Sequence, residues 1–181
     1  CDSVFMVSYA ADGAAIIEEL ATQSFAGQIY GGDGIAEEGL AAGMADNSTV
    51  SGIIASKPNN PNPMSTVGYV FASLCAQSEA CAGGIYTAEA FDAVTIVAFA
   101  AFTALATDGA TGTLLSAEDA VAATGQGWDG ASGGISFLAN GDIIPAGFCI
   151  GEFSHDASDD SVSYDCGRYW DPTNGITTAT M

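Results

Sequence analysis

Two residues stand where an open α/β sheet could use them. Tyr9 follows a short apolar run at 3–8, and Asp33 lies in Gly31-Gly32-Asp33-Gly34 directly after a second run at 28–31. Both fall just past the C-terminal ends of expected strands, which is where such sheets place ligands. A carboxylate on a glycine-rich turn accepts a charge-assisted hydrogen bond from an ammonium, stronger than a neutral one. A tyrosine adds a rigid ring with one polar tip. Taken alone, Asp33 equally suits a plain tight turn, and Tyr9 a strand-end core aromatic.

The remaining reactive residues offer less. His155 is the single histidine, in an acidic stretch with no nucleophile motif beside it, so a Ser–His–Asp site has no support. The glycine turn at 31–34 is not GxGxxG and lacks the Lys-Ser/Thr of a P-loop. No strand-end pair of carboxylates stands out for glycoside hydrolysis. Asp156, Asp159, Asp160 and Asp165 crowd together, but their spacing is not that of an EF-hand, and a solvated acidic loop is the simpler reading. Asn47-Ser48-Thr49 matches a glycosylation sequon, a weak three-residue signal. Neither enzymatic activity nor a cofactor or metal is expected.

Composition narrows the partners. The 181 residues carry 22 acids against Lys57 and Arg168, a formal net charge of -20. No basic stripe exists to displace counterions from nucleic acid or to hold an anionic membrane, so both are excluded. Scattered carboxylates keep a surface hydrated, and salt screens their mutual repulsion within about 10 Å at 0.1 M.

Five cysteines stand at 1, 75, 81, 149 and 166, with no CxxC pair. Cys75/Cys81 and Cys149/Cys166 each flank an expected loop and are expected as disulfides, which implies an oxidising compartment outside the cytoplasm. Cys1 is left over, either as a lipidated N-terminus after signal cleavage or as the partner of a cysteine elsewhere. The longest apolar stretch, 93–106, is shorter than the roughly 20 residues a membrane helix needs.

The elements that would carry these residues alternate. Helical spacing at 11–23, with Asp12 placed to cap its start, follows the first strand. A helix at 37–45 and a strand at 50–55 follow the glycine turn, an order that argues for an α/β sheet with right-handed crossovers. The run KPNNPNP at 57–63 holds three prolines and three asparagines, and is expected as a linker or hinge. Beyond it come helices at 64–76 and 87–107, the second apolar on nearly all sides and so expected to be sandwiched within the protein. Ser116 opens a short helix with Glu118 and Asp119 in its first turn. Strands at 134–138 and 143–153 are joined by Asn140-Gly141, a hairpin signal, and the acidic region after 153 resists assignment.

In order along the chain, these pieces resemble a known family. Asp2-Ser3-Val4-Phe5 with Ser8-Tyr9 and a helix bearing Gly13, the turn Gly31-Gly32-Asp33-Gly34, the strand Gly52-Ile53-Ile54, Phe91-Asp92-Ala93-Val94, and Gly134-Ile135-Ser136-Phe137 with Asn140-Gly141-Asp142 carry the resemblance. Together they are similar to the second half of the type I periplasmic solute-binding proteins that serve branched-chain amino acid ABC transporters. The resemblance implies a parallel-sheet lobe of that fold plus a partial second lobe and a closing C-terminal hairpin. Its divisions would be a ligand-facing lobe at 1–56, a hinge at 57–63, a helical part of the other lobe at 64–132, the hairpin at 133–153 and an acidic tail at 154–181.

It further implies that Tyr9 and Asp33 contact the α-amino group of a small amino-acid-like solute, in a periplasmic or extracellular protein that works with an ABC permease. The family's first half, which supplies the other side of the cleft, has no counterpart here. A second reading follows from that: a self-assembling extracellular subunit, a homo-oligomer or filament, in which edges and apolar faces find cover in other copies.

Overall fold

A computed structural model describes residues 1–58, 65–78, 81, 86–107, 127–138, 140–144, 147–171 and 173–178. The chain forms two compact units, one made of Cys1–Pro58 with Gly147–Met181 and the other of Asn59–Ala146.

The first unit is built on a six-stranded sheet. Its strands are β1 (Ser3–Met6), β2 (Gln28–Gly31), β3 (Ile54–Pro58), β6 (Phe148–Asp156), β7 (Ser161–Asp171) and β8 (Gly175–Thr178), hydrogen-bonded in that spatial order. β1, β2 and β3 run parallel, as the alternating sequence pattern predicts, with Phe5 opposite Tyr30 and Tyr30 opposite Ile54. From β3 onward the sheet is antiparallel. β1–β3 thus form the expected parallel lobe, and antiparallel strands extend it into a mixed sheet.

Helix α1 (Ala10–Thr22) makes the crossover from β1 to β2, turning Gly13, Ala14 and Ile17 inward. Ala14 and Ile17 meet Met6, Ile35, Leu40, Val50, Ile53 and Phe153 in one buried cluster. Ile17, Ile35 and Val50 are essentially inaccessible, and truncating one such aliphatic to alanine costs about 2–5 kcal/mol.

Between β2 and β3 the expected helix at 37–45 is instead a 3-10 segment, Glu38–Gly43, one of three short 3-10 turns with Asp33–Ile35 and Asn47–Val50. Gly39 and Gly43 lie within it, and glycine raises the entropic cost of an α-helix over so short a run. Asp46 accepts from the Ser48 N–H at 3.0 Å and opens the third turn.

The largest departure lies at the C-terminus. The hairpin turn at Asn140-Gly141 forms, with Leu138 N–H donating to Asp142 O at 2.7 Å and Phe137 bridged to Ile143. Residues 148–153 do not belong to it. They begin β6, which pairs with β3 and then with β7. The described residues after 153 are mostly strand, continuing β6 and forming β7 and β8. Along β7, Val162, Tyr164 and Cys166 are partly covered while Ser161, Ser163 and Asp165 are exposed, a period of two.

In the second unit, α2 (Thr66–Cys75) begins at Ser65, whose Oγ accepts from the Gly68 N–H at 2.8 Å. Helix α3 (Thr87–Thr107) buries Ala88, Asp92, Ile96 and Ala100 along one side. Phe91 packs on Phe71 of α2, and Phe99 on Trp128 of a small ribbon of β4 (Trp128–Asp129) and β5 (Gly134–Ile135). The expectation that α3 is enclosed on all sides is corrected. Val94, Val97 and Phe102 are 70%, 62% and 71% exposed. The helix expected at Ser116 and most of the proline-rich run at 57–63 lie outside the described residues, although Lys57 and Pro58 close β3. Among the described residues no helix is long and apolar enough to cross a membrane.

Candidate functional site

A cleft of about 350 Å³ opens at the C-terminal ends of β1 and β2, lined by Ser8, Tyr9, Asp12 and Asp33 together with Val7 and the Gly32 and Gly34 backbone. The geometry follows from how closely the two strand ends approach. Gly32 N–H donates to Met6 O at 3.3 Å, carrying the parallel ladder one residue past the strands. A Cβ on Gly34 would collide with the Ser8 carbonyl, so only glycine lets the turn that carries Asp33 lie against the end of β1.

Ile35 anchors this turn from below. It is 0% exposed, and Cβ atoms built on Gly13 or Gly31 would strike its side chain. The turn is closed by Ala36 N–H donating to Asp33 O at 3.0 Å.

Tyr9 is the residue from which α1 starts. Its extended backbone presents the carbonyl to the Gly13 N–H at 2.8 Å, and its ring is 81% exposed beside the cleft. The two residues singled out from sequence thus line one depression. Asp12 does not cap the helix; Tyr9 occupies the cap, and Asp12 stands in the first turn, among the cleft residues. Its proximity to the strand end was the signal for this placement. A carboxylate there also favours the positive end of the helix dipole.

Asp12 and Asp33 are the ionisable acids of the lining, and no basic side chain contributes to it. Lys57 instead lies over the Tyr164 ring, 4.8 Å from its centroid. The cleft wall therefore attracts positive charge. Carboxylates on such a wall are acceptors for charge-assisted hydrogen bonds.

Two other polar arrangements are structural. Asp92, fully buried on α3, accepts from the N–H groups of Ala131 and Ser132 at 2.8 and 2.7 Å and from the Ser132 hydroxyl at 2.7 Å. It fastens the loop between β4 and β5, where a Cβ on Gly130 would strike the carboxylate. Glu89, a turn earlier, has its carboxyl pushed up by burial, and the Asp92 charge acts in the same direction.

In the acidic turn between β6 and β7, Asp156 and Asp159 are held below the usual carboxylate range by hydrogen bonds from Ser158 and Ser161 respectively. His155 Nε2 lies 2.8 Å from Asp160 Oδ1. Among the described residues no three histidine, cysteine or acidic side chains gather in a metal-binding arrangement.

Both expected disulfides are present. Cys75–Cys81 and Cys149–Cys166 have Cα separations of 5.2 and 5.5 Å, within the range such bridges require. Cys1 is an exposed free thiol.

No protein-family profile and no curated protein sequence matches the chain. Solved structures do. A leucine binding protein from Thermotoga maritima is similar at 20% identity and TM-score 0.67, over 94% of this chain and 45% of that one. A branched-chain amino acid transporter substrate-binding protein from Streptococcus pneumoniae, in complex with isoleucine, is 18% identical with TM-score 0.63, over 98% and 45%. A solute-binding protein of an ABC transporter from Rhodopseudomonas palustris, in complex with 3,4-dihydroxybenzoic acid, is 17% identical with TM-score 0.57, over 99% and 46%. These neighbours are solute-binding proteins rather than enzymes. The chain spans under half the length of each, and over that span it has the fold of a type I periplasmic binding protein.

Proposed function

We propose that the chain supplies one wall of the solute site in an extracytoplasmic solute-binding component of an ABC uptake system. In this reading Tyr9 and Asp33 hold the ammonium of a small amino-acid-like ligand. The observation that carries it is their convergence in one cleft at the C-terminal ends of β1 and β2. The isoleucine-bound neighbour supports a ligand with an amino group. The dihydroxybenzoate bound by the other neighbour carries no ammonium, and the acidic lining here disfavours an anion of that kind. Two disulfides support an oxidising location.

The chain passes between its two units twice, near 58–59 and again near 146–147. That double crossing supports the hinge at 57–63, with 1–56 as the ligand-facing lobe. The opposite wall and the permease are partners that the reading requires.

Titration calorimetry of the chain joined by the part that supplies the opposite wall, with a panel of L-amino acids and with benzoate, tests it. An amino acid binds, benzoate does not, and Asp33→Asn weakens binding by about 10- to 150-fold, the worth of one charge-assisted hydrogen bond. Binding unchanged in Asp33→Asn, or benzoate preferred over every amino acid, refutes the assignment.

A second reading, an extracellular subunit that assembles with itself, is favoured by the open apolar side of α3. Electron microscopy of the purified chain tests it. Regular particles much larger than a dimer support assembly, and single small particles at all salt concentrations refute it.

A further inference from the structure

Asp12 stands in the first turn of α1 and lines the cleft together with Asp33, which comes from the turn after β2. Two carboxylates therefore reach one depression from two different elements. Asp12 is exposed, and among the described residues no hydrogen bond or ion pair engages its carboxylate. Lys57 and Arg168, the two lysine and arginine residues of the chain, are turned elsewhere. Lys57 reaches from β3 across β6 to the Tyr164 ring on β7, away from β2. Arg168 lies on β7, the third strand beyond β2 and so roughly 14 Å from it.

The charge balance follows from the solute reading, on which this inference rests. A neutral amino acid brings one ammonium to this wall, and Tyr9 and Asp33 account for it. Its carboxylate then points to the opposite wall, so a base there meets the ligand and not Asp12. Enclosing such a ligand strips Asp12 of water without giving it a partner, which is costly. A second positive charge on the ligand removes that cost and adds a charge-assisted hydrogen bond. Favouring the dipole at the start of α1 also accounts for an acid here, but that role is indifferent to the ligand.

We propose that Asp12 sets the selectivity of the solute site, favouring an amino acid with a cationic side chain over one with a neutral side chain. Tyr9 and Asp33 hold the α-ammonium, and Asp12 holds the side-chain cation. The start of α1 is then the part of the wall that reads the side chain. The turn after β2 reads the group common to all amino acids.

The test compares L-lysine with L-norleucine, which has the same carbon chain without the side-chain ammonium. It uses titration calorimetry of the chain joined by the part that supplies the opposite wall. Lysine is expected to bind about tenfold or more tighter, the worth of one charge-assisted hydrogen bond. Asp12→Asn brings the ratio of the two affinities close to one, and Asp12→Glu, which keeps the charge, retains the preference. Asp33→Asn instead weakens both ligands and still favours lysine. Circular dichroism verifies that each variant is folded. Lysine binding no tighter than norleucine, as when a base on the opposite wall neutralises Asp12, overturns the proposal and leaves the solute reading in place. A lysine preference that survives Asp12→Asn does the same. Binding of neither ligand, nor of any other amino acid, overturns both.

Discussion

Replacing Tyr164 with phenylalanine removes a hydroxyl that is built into the middle of the sheet. Its oxygen accepts from Gly151 N–H at 3.1 Å and donates to Ala55 O at 2.7 Å, and those two residues face each other across β3 and β6. The β7 strand bulges beside them, where Gly151 pairs with Cys166 but Ile150 with Arg168. Gly151 is required, because a Cβ there would enter the Tyr164 ring. Phenylalanine keeps the ring and its packing on Phe153, at 4.9 Å between centroids, but leaves a buried carbonyl and an N–H without this partner. The expected loss is about 1–3 kcal/mol.

The pH dependence gives a second, independent readout. Burial pushes the Tyr164 phenol up to about 12 from 10.0, partly offset by the Gly151 hydrogen bond. The folded state thus favours the protonated phenol. Its contribution is fully present below about pH 10, where the unfolded phenol titrates, and is lost as pH rises towards 12. Guanidinium melts of wild type and Tyr164→Phe, both in a Cys1→Ser background so that no thiolate attacks the disulfides, measure the gap. It should be constant from pH 7 to 9 and narrow above 10. A gap below about 0.5 kcal/mol at pH 8, under the expected cost, or one that does not change up to pH 11.5, refutes this account of the sheet.

Three further outcomes follow from the same geometry. Asp92→Asn places an amide NH₂ against donors on the β4–β5 loop, and should cost roughly 2–4 kcal/mol and speed hydrogen exchange at 128–135. Gly34→Ala forces the Asp33 turn away from Ser8, so it should lower stability by about 1–3 kcal/mol and weaken amino-acid binding, read by melting temperature and calorimetry. Raising NaCl from 0.1 to 2 M screens the repulsion of a -20 chain and should raise the melting temperature by at least about 5 °C, whereas an unchanged or lower melting temperature would refute a destabilising role for that repulsion.

The sequence by itself determined the local pieces. The apolar runs before Tyr9 and Asp33, the helical spacing after the first, the glycine turn and both disulfides were legible, because strand, helix and turn preferences act over a few residues. The Asn140-Gly141 turn was legible for the same reason.

What followed 153 was not read, although Val162, Tyr164 and Cys166 alternate with Ser161, Ser163 and Asp165 as a half-covered strand does. Acidic and serine residues dominate the open face and mask that period. Only the tertiary structure decided that β6 joins β3, since that pairing spans about a hundred residues of chain and has no local signature. Only it decided that Asp12 faces the cleft rather than capping its helix, and that one side of α3 stays open. Hydropathy reports how apolar a helix is, while its cover depends on which other segments pack against it.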